Sequence, residues 1–370
     1  MKITKVQATC HRFPLKLPLD KPIVESCVFV RVETDEGITG YGLTEGALRF
    51  STRDFINREL APFLVGKNPL ETEKIWNKDV SAELGFMPQQ FAASEMLRWG
   101  SSAVDIALWD IKGKYFKQPV FRLLGGSANR IPAYVTFGFF MYSREELAEA
   151  ARQFVKIGQK NLKLQVSYTP GLDMAEEEAR VRVVREAIGE DGMLFADGNG
   201  RMNLIQAREM ARRIEPYRLT WFEGPVPMNT DFRHVLELKQ HTNIPIAHAG
   251  SLPGRRWLYR DLIVAGAIDV VNPNVVHVGG YTEALKIANL AQAFSLPVAT
   301  AGGQPHHMMH LIAGVANGWI VEFHYGHTLR DNIIFVNPPL FDHGFLTLPE
   351  KPGLGLEPNE AGLKEYLEKD

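Results

Sequence analysis

The chain has 370 residues, a net charge of −2 and 45% hydrophobic residues, room for a large core and more than one average domain. Near-balanced charge leaves no basic footprint for nucleic acid, and no apolar run approaches the roughly 20 residues that span a bilayer. Cys10 and Cys27 are too few for a disulfide framework, and Met1-Lys2-Ile3-Thr4-Lys5 lacks a signal-peptide core, so a reduced, cytoplasmic protein is expected.

Residues 1 to about 50 read as strands. Val28 to Glu33 alternates apolar and polar side chains, Thr34-Asp35-Glu36-Gly37 reads as a turn, and Ile38 to Leu43 resumes, which predicts a hairpin. From about 51 to 117 the pattern is helical, and Val104, Ile106, Ala107, Leu108 and Ile111 share a broad apolar face. Strands followed by helices predict an α+β domain. Leu123-Leu124-Gly125-Gly126 marks a boundary. Beyond it, strands at about 131–138, 161–166, 193–197, 219–223, 244–249, 269–273, 296–300 and 319–323 alternate with helical patterns such as Arg144 to Ile157 and Thr282 to Phe294. Such strand–helix units predict an α/β protein, a (β/α)8 TIM barrel with its site at the mouth. After Glu322 the pattern breaks, and Pro338, Pro339, Pro349 and Pro352 predict a coil that packs back on the first domain. The expected division is a capping domain over 1–125, a barrel over 126–335 and a C-terminal segment over 336–370.

Four of the barrel strands end in polar residues: Leu162-Lys163-Leu164-Gln165, Leu194-Phe195-Ala196-Asp197, Trp221-Phe222-Glu223 and Ile246-Ala247-His248. Asp197 and Glu223 lie 26 residues apart, about one repeat, so their carboxylates should converge at the mouth. Two carboxylates held together favour a divalent cation, because like charges in one place are otherwise costly. The plainer alternative is two strand-end acids that cap the next helices. His306 and His307 begin the helix after the seventh strand, and Glu322, His324 and Tyr325 end the eighth. Histidine titrates near neutrality, so these groups are candidates for moving protons. His277, just before Gly279-Gly280, reads as a polar rim residue.

Ser102-Ala103-Val104-Asp105-Ile106-Ala107-Leu108-Trp109-Asp110, Asp197-Gly198-Asn199, Trp221-Phe222-Glu223-Gly224-Pro225, Gly279-Gly280 and Pro352-Gly353-Leu354-Gly355 follow in that order over nearly the whole chain. With these motifs the sequence resembles the mandelate racemase and muconate lactonizing branch of the enolase superfamily. The resemblance implies a modified TIM barrel, an N-terminal α+β capping domain completed by the C-terminal tail, and one Mg²⁺. It also implies abstraction of a proton next to a carboxylate, with the metal stabilising the enolate. Asp197 and Glu223 match the first two metal ligands, and Asn199 matches a residue lining the same site. The third ligand is expected five residues after Pro245, where Gly250 has no ligating side chain. His248, two residues earlier on the same strand face, is the candidate substitute, with a hydrogen-bonded core histidine as the plainer alternative and water left to complete the shell.

Lys163 matches the first of two family lysines, and Gln165 stands where the base is expected although an amide cannot take a proton. Asn274 and Ala301 occupy the positions of the opposite base. Both usual bases are therefore missing, and Lys163, His306 and His324 are left to move the proton, with Glu322 matching an acidic position that places an electrophile. Loops Pro18 to Pro22 and Gly46 to Phe50 match the substrate-selecting lid, which makes Asp20 and Arg49 candidates to meet substrate, Arg49 by a bidentate contact to a carboxylate, with a solvated loop arginine as the plainer alternative.

The resulting expectation is a divergent Mg²⁺-dependent lyase, homo-oligomeric, that dehydrates a small carboxylate substrate, a sugar acid, to a 2-keto-3-deoxy acid. A racemase, epimerase or cycloisomerase is the alternative enzyme, and Gln165, Asn274 and Ala301 argue against its usual two-sided form. A non-catalytic ligand-binding barrel is the rival of another class, and the carboxylates of Asp197 and Glu223 argue against it.

Overall fold

The computed structural model describes residues 1–75, 95–169, 171–227, 232–248 and 256–369. The alternation of the first segment becomes three antiparallel strands, β1 (Ile3–Leu17), β2 (Lys21–Thr34) and β3 (Thr39–Glu45), in that order across the sheet. Successive side chains on a strand face opposite ways. On β2, Val28, Val30 and Val32 join the core of the capping domain, whereas Cys27 and Phe29 join the core shared with the barrel. The sheet is thus buried on both faces. Helix α1 (Arg49–Phe55) follows it, and α2 (Glu95–Tyr115) packs Ala103, Val104, Ala107, Leu108 and Ile111 into the capping core. Ile106 and Trp109, on the other side of α2, face the barrel core. A helix with apolar residues on two sides is one buried between layers.

The barrel strands are β4 (Arg130–Gly138), β5 (Leu162–Gln165), β6 (Leu194–Asp197), β7 (Trp221–Glu223), β8 (Ile246–His248), β9 (Val270–Val271), β10 (Val298–Ala299) and β11 (Gly318–His324). They pair in parallel in sequence order, and β11 returns to pair with β4, which closes the barrel. The outer layer contains α3 (Arg144–Lys156), α4 (Met174–Ile188), α5 (Leu204–Ile214), α6 (Arg233–Lys239), α7 (Arg256–Val264), α8 (Gly280–Ala293), α9 (Pro305–Gly314) and α10 (Tyr325–Ile334). No helix among the described residues is long and apolar enough to cross a membrane.

Helix α10 corrects the coil expected after Glu322. Gly326, Thr328 and Asn332 are weak helix formers, and Gly326, His327, Thr328, Arg330, Asp331 and Ile334 are buried, so the segment shows no amphipathic stripe. Next, a hairpin, β12 (Phe341–Asp342) and β13 (Phe345–Thr347), adds antiparallel to the base of β4. The chain then returns to the capping sheet. Glu360, at the start of α11 (Glu360–Glu365), pairs with Arg31 at 2.6 Å, and Leu367 bridges to His11 on β1.

Inside the barrel, Tyr134, Phe195, Trp221, Ala247, Val270, Ala299 and Ile320 form their own apolar cluster, a floor supplied by seven strands. The rings of Phe195 and Trp221 lie 4.2 Å apart and those of Tyr134 and Phe195 4.5 Å apart. The period of two then puts Thr136, Asp197, Glu223 and Glu322 one layer higher, towards the C-terminal mouth.

Candidate active site

Lys163 on β5 stands among three carboxylates of that upper layer. Its Nζ lies 2.8 Å from Glu223 Oε2, 2.9 Å from Glu322 Oε1 and 3.7 Å from Asp197 Oδ2. None of the four residues is more than 9% exposed. Neighbours fix each carboxylate. Trp221 Nε1 donates to Glu223 Oε2 at 3.3 Å, and the Asn199 backbone N–H donates to Asp197 Oδ1 at 2.8 Å. Glu322 accepts from the Gly303 N–H at 3.1 Å and from the Thr136 hydroxyl.

Among the described residues one cation faces three carboxylates, which leaves the cluster short of positive charge. Burial alone would lower Lys163, but Glu223 and Glu322 outweigh it and hold the ammonium well above its usual range. Burial pushes Asp197 up, and pushes Glu223 up to about 8, with Lys163 opposing both shifts. Burial presses Glu322 the same way, yet Lys163 and the Thr136 hydroxyl prevail and leave it below the ordinary carboxylate range. Lys163 is therefore a cation and a hydrogen-bond donor at neutral pH. The carboxylates whose charge is disfavoured, Asp197 and Glu223, sit on adjacent strands. A hard divalent cation on their oxygens would relieve both, so this donor set fits Mg²⁺.

Residues 1–125 match the mandelate racemase/muconate lactonizing enzyme N-terminal domain, and residues 146–362 match the enolase C-terminal domain-like family. The chain belongs to the mandelate racemase/muconate lactonizing enzyme family. An arabinonate dehydratase from Saccharolobus solfataricus is 31% identical over 350 residues, covering 92% of this chain and 90% of that protein. The crystal structure of a 3,6-anhydro-D-galactonate cycloisomerase from Zobellia galactanivorans matches with a TM-score of 0.87 at 29% identity over 100% of both chains. L-talarate dehydratase from Polaromonas sp. JS666, complexed with Mg and L-glucarate, matches with a TM-score of 0.86 at 28% identity over 100% of this chain and 98% of that one. The expected superfamily, the capped barrel and the expectation of an enzyme all hold.

Within this mandelate racemase-family site, several expected residues do come to the mouth. Gln165 lies two residues beyond Lys163 on the same face of β5, and its Oε1 has no hydrogen-bond partner among the described residues. Asn199, in the left-handed region at φ 47°, accepts from the Tyr168 hydroxyl at 3.0 Å. His324 ends β11 and packs on Phe139 with ring centroids 4.9 Å apart. Its Nδ1 is buried with no hydrogen-bond partner among the described residues, and burial lowers the ring to about 4, so it is a neutral imidazole at pH 7.

Other expected residues lie elsewhere. Ala247, not His248, belongs to the inward layer of β8, so strand parity turns His248 away from the carboxylates. Its Nε2 lies 3.2 Å from the Val226 carbonyl, and burial lowers it to about 4. Gly250 lies outside the described residues. His306 is fully buried with both ring nitrogens engaged, Nδ1 at 2.6 Å from Asp331 Oδ2 and Nε2 at 2.8 Å from the Pro339 carbonyl. That commitment to α10 and the C-terminal segment leaves no nitrogen for substrate. Arg49 makes the bidentate carboxylate contact expected of it, but with Glu368 of the chain's own tail. Asp20 is exposed and lies 3.3 Å from Lys16 Nζ. Asn274 is fully buried and caps the turn Val275–Val278, accepting from the Val276 N–H at 3.0 Å.

Two mouth residues escaped the sequence reading. Glu25 on β2 and His327 on α10 pair at 3.3 Å beside His324. They are far apart in sequence and belong to no motif, so only the seating of the cap on the barrel brings them together.

Proposed function

We propose that this chain is a dehydratase of a small sugar acid, with Mg²⁺ held by Asp197 and Glu223. The observation that carries the reading is the buried Lys163–Asp197–Glu223–Glu322 cluster at the mouth, in a family whose relatives include sugar-acid dehydratases. When bound, the metal supplies Lewis-acid stabilisation of charge developing on the substrate carboxylate. Lys163, held as an ammonium, adds a fixed donor to the same charge. Glu322, bonded to Gly303 and Thr136, keeps the ammonium in place. His324, neutral and with Nδ1 uncommitted among the described residues, is the group suited to take the α-proton. The β-hydroxyl then departs with that proton as water, and the enol left behind tautomerises to a 2-keto-3-deoxy acid. One group thus serves as base and then as acid, so no second base is required on the opposite face.

The test is a sugar-acid library assayed for 2-keto product in Mg²⁺, repeated in D₂O. Keto acid from at least one member, abolished by His324→Asn, is the expected result. Deuterium entering unreacted substrate with inversion and no keto acid would overturn dehydration in favour of a racemase. Conversion to an isomer without loss of water would favour a cycloisomerase.

A further inference from the structure

Beside the oxygen-rich cluster, the mouth holds a second group of ligating side chains of different chemistry. Glu25 on β2 of the cap, His324 at the end of β11 and His327 in the first turn of α10 each offer one ligand atom, all within 4.8 Å of one another. Among the described residues this is the one such group of histidine, cysteine and acidic side chains.

Three features make it a built site. First, His327 Nδ1 lies 3.0 Å from the Gly303 carbonyl, to which it donates, and Nε2 then faces Glu25 Oε2 at 3.3 Å. A ring N–H to a backbone carbonyl is the usual second contact of a metal-binding histidine, because it fixes the ring and aims the other nitrogen. Second, His324 Nδ1 is buried with no hydrogen-bond partner among the described residues, an unmet need that the Glu25–His327 pair does not explain. Third, glycines clear the space. A Cβ on Gly326 would fall 2.3 Å from Glu25 Oε1, and one on Gly303 would fall 2.0 Å from His324 Cβ.

We propose that Glu25, His324 and His327 form a site for a borderline divalent cation of the zinc class, joining the capping strand to the barrel. Two imidazoles and one carboxylate suit such an ion, whereas Mg²⁺ prefers an all-oxygen shell. A four-coordinate ion with bonds near 2.0–2.1 Å separates its ligands by roughly 3.4 Å, close to the Glu25–His327 spacing. His324 must draw in to complete the set. Without the ion, a proton takes its place: burial presses His327 down, but Glu25 outweighs it and holds the ring at about 9, while Glu25 falls to about 2. Arg330 nearby opposes a cation and Glu45 favours one, and each is itself partnered, Arg330 by Asp331 and Glu45 by His277 and Gln304. Binding the ion therefore expels the His327 proton. Occupancy would also remove His324 from proton transfer, making the ion an inhibitor, and this last consequence alone rests on the dehydratase reading.

The experiment is calorimetric titration of the full chain with zinc chloride in saturating Mg²⁺. One equivalent should bind and release about one proton, read from the dependence of heat on buffer ionisation enthalpy. Glu25→Gln and His327→Asn should each weaken binding at least 10-fold. Asp197→Asn should leave it unchanged, which separates this site from the proposed Mg²⁺ site whether or not turnover is found. Unchanged affinity in both Glu25→Gln and His327→Asn, or no stoichiometric binding, would overturn the proposal. Anomalous scattering at the zinc edge from wild-type crystals decides the same point without a variant: a peak between the three side chains supports it, and a peak elsewhere or none refutes it.

Discussion

The mouth of the barrel has two unlike arcs. Strands β5, β6, β7 and β11 bring Lys163, Asp197, Glu223 and Glu322 into direct contact or near it, all buried. Across from them, β9 and β10 lead to Asn274 and Ala301, which are buried too but carry no charge. Both arcs rest on the same apolar floor and follow the same strand alternation, so the backbone treats them alike. The difference lies in side-chain chemistry: the first arc presents charged groups at these positions, and Asn274 and Ala301 present none. Proton transfer from two sides needs ionisable groups on both arcs, whereas elimination works from one.

Removing the ion at the centre of the charged arc should have the largest effect. Lys163→Met leaves three buried carboxylates without their cation, and should cost about 3–5 kcal/mol of stability, read by urea unfolding without added metal. Turnover on an identified substrate should fall by roughly 10²–10³-fold, the loss of one fixed donor to the developing charge. Full turnover in this variant would mean that the charged arc is structural. Charging the neutral arc should come next. Asn274→Asp keeps the Val276 N–H as a partner but buries a charge, and should cost about 2 kcal/mol without producing racemisation. Exchange of the α-proton with inversion in that variant would erase the contrast. Asp197→Asn should weaken Mg²⁺ binding about tenfold or more by calorimetry. Because burial raises Asp197 in the folded state, its charge opposes folding at neutral pH, so the same change should raise the Tm of the metal-free protein.

The seam between cap and barrel predicts a smaller, pH-dependent effect. Glu25 falls to about 2 from a usual 4.5, and His327 rises to about 9 from 6.5. The depressed acid contributes fully above about 4.5 and loses its contribution as pH falls through 2. The raised histidine contributes fully below about 6.5 and loses its contribution as pH rises through 9. The Tm difference between wild type and Glu25→Gln should therefore be largest between about 4.5 and 6.5 and shrink towards pH 9. Arg49→Ala should matter least. It breaks a partly exposed pair with Glu368, worth about 0–1 kcal/mol, and KM should not change.

The two arcs were not equally legible in the sequence. Asp197 and Glu223 stand at strand ends one repeat apart, so period and parity alone placed them together. Lys163 and Glu322 came from the resemblance instead: Lys163 registers with Phe195 at floor level, and its long side chain reaches up to the carboxylates. His248 misled: counting back from Gly250 preserved parity on β8, but Ala247 is the residue that faces inward. Arg49 and His306 have side chains of the right chemistry whose partners, Glu368 and Asp331, are set by how the tail and α10 fold back. Tertiary pairing of that kind leaves no periodic trace. Glu25 and His327 are the limiting case, since each sits in an unremarkable segment and acquires meaning only through the other.

The floor of Tyr134, Phe195, Trp221 and their neighbours has one more consequence. It makes the barrel a vessel with a sealed base, so Lys163 is approached from the capped end. Whatever enters to react and whatever leaves afterwards share that doorway and the same seat above Trp221. Product should therefore inhibit competitively with substrate, and a bulky analogue lodged beneath the cap should block both entry and exit.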